Sequence, residues 1–199
     1  MTEDEHSAAD IRIVEGVEAV RRRPGMYFGV GLDSPHLPTR AFEQVVGWSL
    51  HPAARVAPVH ALRVEAEILG DLAFRVVDDA SEALREDGTP RLGFGSLIGP
   101  DRWCGWAVSA LSARTVIEVW RDGRGLRQEL TGGRPLAEPE RFAPPAGAGT
   151  RTEWELDEAF LAPGAAITAA LGSLDLHGSA CAQSDGPVRL LLRDLRRAA

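Results

Sequence analysis

The chain of 199 residues contains no lysine; all 22 of its basic residues are arginine. A biased genomic composition explains that absence without any functional cause. Functionally, a step that needs an ammonium on a flexible stem must draw it from another chain or domain. Cysteine is scarce as well. Cys104 and Cys181 make neither a disulfide framework nor a close pair of metal ligands. His6, His36, His51, His60 and His177 have no zinc-like spacing, so no metal site is expected. Excess positive charge is missing too. A formal net charge of −7 disfavours direct nucleic-acid binding through the phosphate backbone. No run reaches the roughly 18 apolar residues of a membrane span. The opening "MTEDEHSAAD" has neither a basic nor an apolar leader region. These absences point to a cytoplasmic protein without membrane contact. "PGMYFGVG" is neither a P-loop nor a dinucleotide fingerprint, and no nucleophile elbow surrounds Ser109 or Ser112. Motifs therefore name no cofactor.

What is present suits a folded domain. Hydrophobic residues make up 44% and charged residues 26%, enough apolar content for a core. Residues 1–10 are expected to be a mobile arm and residues 11–199 a single domain. Ile13, Val14, Val17 and Val20 have helical spacing, and Pro24-Gly25 stops that helix. A second helix is expected over 39–50, ended by His51-Pro52. Residues 62–68 and 72–79 alternate apolar and polar positions around Gly70-Asp71, as a hairpin does. Residues 85–101 read as an irregular loop and 103–113 as an apolar helix. Residues 114–121 and 126–130 flank Asp122-Gly123 as a second hairpin. The proline- and glycine-rich stretch 134–149 reads as a connection. A strand over 150–157, an interrupted helix over 159–178 and a last strand over 187–194 follow. The order predicts one mixed sheet with helices on one face, an α/β (α+β) two-layer sandwich.

The segment "IVEGVEAVRRRPGMYFG" resembles the opening signature of the ATPase domain of the gyrase B protein and its topoisomerase IV relatives, which have the GHKL fold. Later segments resemble that family in the same order: "AFEQVVGWSL", "LAFRVVDDASEAL", "WCGWAVSALSARTVIEVWRDGRGLRQEL", "GAGTRTEWELD" and "GPVRLLLRD". The resemblance runs from about residue 11 to residue 194. It implies a GHKL/Bergerat-like sheet with a shortened lid. In the family the opening region lies near the dimer strap, so Arg21, Arg22 and Arg23 are expected to be scaffolding.

The resemblance also assigns candidate site residues. The family's first helix carries a Glu-Val-Val-Asp-Asn pattern, supplying a catalytic glutamate and a magnesium-binding asparagine. With the valines matched, Gln44 stands at the glutamate and Gly47 and Trp48 at the next two polar positions. Gln44 cannot act as a base near neutral pH, and an indole offers magnesium no oxygen. Sliding the match by one residue restores Glu43 as the candidate catalytic base but puts Gly47 at the metal position. Trp48 either fills part of the pocket or packs in the core. Asp78 matches the aspartate that accepts from the adenine amino group, or it is a strand-end carboxylate. Ala80 and Glu82 stand where that motif has glycines. Thr150 matches a nucleotide-contacting threonine, or it satisfies local backbone. The glycine-rich phosphate cradle is crowded by Arg102, Trp103, Cys104 and Trp106, and an arginine beside a loop ordinarily lies on the surface. Cys104 could pair with His177 as a nucleophile only if folding joins them; an inert buried thiol is the simpler expectation.

Together these residues imply a degenerate, stand-alone gyrase-B-like ATPase domain without efficient ATP hydrolysis. It would act through a protein partner, through self-association as a dimer, or through a repurposed pocket for an adenine-like small ligand. One alternative is an ATP-binding or ATPase module completed by a partner's lysine. Another is a repurposed enzyme on the same scaffold.

Overall fold

The computed structural model describes residues 16–50, 63–172 and 189–196. The expected arm at 1–10, the His51-Pro52 stop, and Cys181 and His177 lie outside those residues. The chain begins with α1 (Gly16–Arg22) and a single turn, α2 (Gly25–Phe28), separated at Pro24. The long helix α3 (Leu37–Leu50) follows, with Pro38 in its first turn, where a missing N–H costs nothing. Strands β1 (Arg63–Ile68) and β2 (Ala73–Asp78) pair antiparallel, as the alternation predicts. Residues 79–102 lead to α4 (Trp103–Ala110). Then come β3 (Ser112–Arg121) and β4 (Arg124–Thr131). Their two-residue loop puts Asp122 at φ 51° and Gly123 at φ 75°, both left-handed, as a tight hairpin requires.

Two expectations need correction. The stretch 134–149 is not only a connection. It contributes β5 (Arg134–Pro135) and β6 (Glu140–Phe142), both paired with β4. The interrupted helix over 159–178 does not form over 161–172. Only Glu158–Phe160 makes a single 3₁₀ turn, with Asp157 accepting from the Ala159 N–H. Leu161 is extended, and Gly164 adopts φ 74° just after Pro163. Pro163 and Gly164 break the apolar run before a helix can nucleate. The chain closes with β7 (Ala148–Leu156) and β8 (Arg189–Asp194).

One sheet results, in the order β5-β4-β3-β7-β2-β1-β8, with β6 also on β4. Only the β1–β8 pairing is parallel among those described, so the sheet is mixed. The helices lie on one face, giving the expected α+β sandwich. Phe42 from α3 meets Phe74 from β2 edge-on at 5.0 Å, and Phe74 stacks on Trp154 from β7 at 5.0 Å. These fully or nearly buried rings join the helical layer to the sheet. Gly105 in α4 permits the approach, because a Cβ there would lie 3.3 Å from the Trp154 ring.

Among the described residues, Trp106 of α4 reaches the other half of that face, which is otherwise covered by the loop between β2 and α4. There Ala83, Leu84, Leu97 and Ile98 from the loop pack on Ile117 and Val119 of β3 and on Leu126 and Leu130 of β4. Gln128 ties this loop down, accepting from the Leu97 N–H at 2.8 Å and donating to the Ala137 carbonyl at 2.9 Å.

The opposite face of the sheet alternates arginine and glutamate. Arg75 joins Glu67 to Glu153, and Arg127 and Arg151 meet Glu118. Such partly exposed pairs contribute little individually. Arg21 has a scaffolding position: its Nε donates to the Ala110 carbonyl at the end of α4 at 2.8 Å, and it lies over the Phe160 ring. Arg22 instead makes an exposed pair with Glu18.

Candidate functional site

The site begins where β2 ends. Asp78 is the last residue of that strand, and Thr150 lies directly opposite it on β7. The sheet therefore brings together two of the residues selected from the sequence. Both are buried. The Asp78 Oδ1 accepts from the Ala80 N–H at 3.0 Å, and the Thr150 hydroxyl donates to the Ala80 carbonyl at 2.6 Å. Each side chain thus has a local backbone partner and helps fix the turn after β2. Gly149 allows the strands to close here; a Cβ would lie 2.7 Å from the Asp78 carbonyl oxygen.

A third group dominates the geometry. Arg102, one residue before α4, turns inward against the expectation that it lies on the surface. Its Nη1 donates to Asp78 Oδ2 at 2.6 Å and its Nη2 to Asp78 Oδ1 at 2.7 Å. Its Nε donates to Glu82 Oε1, and Nη2 is 3.4 Å from Glu82 Oε2. The side chains are 16%, 2% and 11% exposed for Arg102, Asp78 and Glu82. This planar fork matches the carboxylate in a way an ammonium could not. Desolvation makes an ionised carboxylate costly, so burial pushes the Asp78 carboxyl up against the pull of Arg102. Burial also acts on Glu82, but there the Arg102 guanidinium prevails and holds the carboxyl below its ordinary range. The guanidinium itself is held well above its usual value, despite burial, by both acids. Two carboxylates face one cation, leaving this cluster with formal charge −1.

Sequence reasoning identified Asp78 and marked Glu82 as standing where the motif has a glycine. It missed Arg102 as their partner. The legible signal was a strand-end acid pair, four residues apart, in a chain whose only permanent cation is arginine.

Helix α3 carries the other candidates. Glu43 is buried, but its partners differ from those of Asp78: Oε1 accepts from the Gly172 N–H at 2.6 Å and Oε2 from Arg40 at 2.8 Å. Gln44 and Trp48, one helical turn apart, face the beginning of α4. The Cys104 thiol lies 3.9 Å from Gln44 Oε1, and Trp48 donates to the Asp101 carbonyl at 2.9 Å. Trp48 also meets Trp103 edge-on at 5.6 Å. The α3 tryptophan thereby braces the backbone just before Arg102. Burial pushes the Cys104 thiol up to about 12, which leaves almost no thiolate near neutral pH. Among the described residues, no group of three or more His, Cys, Asp or Glu side chains could hold a metal ion. No helix among them is long and apolar enough to cross a membrane.

No known family profile matches the chain. Individual relatives do. It is 30% identical to the B protein of DNA topoisomerase 4 from Caulobacter vibrioides over 80% of this chain and 25% of that protein. It is 28% identical to the DNA gyrase B protein of Thermus thermophilus, covering 76% of this chain and 27% of the relative. It is 31% identical to the DNA gyrase B protein of Streptomyces coelicolor, covering 76% and 24%. The chain spans about a quarter of the length of these relatives. The sequence similarity and the mixed sheet with helices on one face agree on one origin: the chain is a homologue of the DNA gyrase B and DNA topoisomerase IV B proteins, with a GHKL ATPase-like fold.

Proposed function

We propose that this chain is a degenerate gyrase-B-like domain that does not hydrolyse ATP efficiently and acts in the cytoplasm through a protein partner or a second copy of itself. The observation that carries the reading is the Arg102 guanidinium on Asp78. The acid that the family resemblance assigns to adenine already has both oxygens engaged by donors of its own chain. Glu82 adds a negative charge that opposes a triphosphate. Gln44 cannot replace a general base, and Trp48 supplies no magnesium ligand. Glu43 is engaged by Arg40 and the Gly172 N–H. The elevated Cys104 thiol also weighs against a thiolate enzyme on this scaffold.

The second reading, an ATP-binding module completed by a partner's lysine, draws support from Asp78 and Thr150 lying opposite each other. Purified protein tested with ATP and magnesium distinguishes the two. The expected result is no turnover above a heat-denatured control. Magnesium-dependent turnover that disappears in Glu43→Gln would overturn the proposal and restore Glu43 as a catalytic base.

A further inference from the structure

We infer that the former nucleotide pocket is a guanidinium-binding site, filled in the native chain by Arg102. This rests on the reading that the pocket no longer serves ATP, and it adds the chemistry the pocket selects. Asp78 presents two oxygens to the Nη1 and Nη2 edge of the guanidinium, while Glu82 receives the Nε side. Four hydrogen bonds surround one planar cation. The Ala80 N–H and the Thr150 hydroxyl hold the turn that aims Asp78.

Glu82 decides the selectivity. A neutral aminopurine can offer donors to Asp78 but leaves the largely buried Glu82 without its hydrogen-bonded cation, with Arg91 acting on it only through charge, which is costly at low dielectric. A nucleoside triphosphate adds further negative charge. An ammonium supplies charge without a planar fork and cannot span both acids with fixed geometry. A guanidinium or amidinium satisfies charge and shape together. Glu82 also lines an open cleft of about 580 Å³ with Arg85, Glu86, Asp87, Arg91 and Arg121, so the Glu82 side of the clasp borders that cleft.

Arg102→Ala in the full chain tests the site, with methylguanidinium, methylammonium and adenosine as probes at ~10 mM, far below the molar range of denaturing guanidinium. Methylguanidinium is expected to raise the Tm of the variant saturably and to leave the native chain unchanged. Methylammonium and adenosine are expected to bind at least tenfold more weakly. Adding Glu82→Gln to the variant is expected to reduce the methylguanidinium preference at least tenfold. If Arg102→Ala does not fold in buffer, its refolding yield with methylguanidinium provides the same readout; no recovery overturns the inference. Equal rescue by methylammonium, or tighter binding of adenosine, also overturns it. In the native chain, the Arg102 Nε–H resonance is expected to exchange slowly with solvent, and rapid exchange would refute the clasp. Adenosine selectivity in the variant would sink this inference alone, whereas ATP turnover by the native chain would sink the functional reading beneath it.

Discussion

The two halves of the covered sheet face are built by different means. Over β1, β2 and β7, helices α3 and α4 supply Phe42, Ala107, Val108 and other buried residues to a continuous core. Over β3 and β4, a loop without helix or long strand does the same task with Leu84, Leu97 and Ile98. The helical half has its backbone satisfied within its own elements. The loop half is held by short-range backbone bonds, among them the Arg91 N–H to the Ala83 carbonyl at 2.8 Å and the reciprocal Gly93–Ser96 pair, and Gln128 ties Leu97 of that loop to β4. The Asp78–Arg102–Glu82 cluster sits at the seam, because Asp78 ends β2, Glu82 lies in the loop and Arg102 leads into α4. The cluster thus fastens two differently stabilised regions to each other.

That contrast can be broken first in the helical half. Phe74→Ala removes a fully buried ring that contacts both Phe42 and Trp154. It should cost about 3–5 kcal/mol in denaturant unfolding. Arg102→Met should cost a similar or slightly smaller amount, about 3–5 kcal/mol, by leaving two buried carboxylates without their cation. Its loss should shrink when Asp78→Asn and Glu82→Gln are added, a coupling that a purely steric role for Arg102 would not produce.

In the loop half, Gln128→Leu leaves the buried Leu97 N–H without its acceptor. A loss of about 1–3 kcal/mol is expected. Hydrogen exchange should accelerate in 83–98 more than in β2 or α3; uniform acceleration would show that the two halves unfold as one unit.

Acid should weaken the sheet in a defined direction. Glu67 is buried, and although burial raises its carboxyl, Arg75 and Arg193 bring it below the ordinary value of 4.5. Its folded form therefore binds a proton less readily than its unfolded form. The associated stability is fully present above pH 4.5 and is lost as pH falls through the lower folded value. Glu67→Gln should flatten the stability–pH curve below that point. An unchanged slope would assign the acid sensitivity elsewhere, with Glu82 the next group to test.

The smallest contrast lies within the arginine run. Arg21→Ala removes a bond to the end of α4 and should cost about 1 kcal/mol. Arg22→Ala removes only an exposed pair with Glu18 and should cost about 0.5 kcal/mol or less. Equal losses would show that the run acts by charge alone.

Much of the fold was legible because its signals are local. Alternation marked β1 and β2, Asp122-Gly123 marked the β3–β4 turn, and Pro24-Gly25 marked the end of α1, while the single turn α2 that follows was not read. The short β5 and β6 escaped notice because β5 is only two residues long, just past the Gly132-Gly133 turn, and β6 reaches β4 across the proline-rich stretch. The apolar run after Phe160 suggested a helix on composition, but Pro163, Gly164 and packing against other elements gave it another course. At the site, the sequence distinguished Asp78 and Thr150 through the family resemblance, and the sheet register placed them together.

The sequence alone determined the chemical inventory: no lysine, no asparagine at the position on α3 that the family resemblance assigns to magnesium, a glutamate where that resemblance has a glycine after Asp78, and an arginine in the stretch matched to its phosphate cradle. Only the tertiary structure decided that this arginine turns inward. Residues 78 and 102 are separated by a loop that buries Leu84, Leu97 and Ile98, and that packing returns the chain to the end of β2. Local propensity carries no record of such a closure. Its direction is fixed by the cost of leaving Asp78, almost wholly shielded from water, and its neighbour Glu82 without the Arg102 cation.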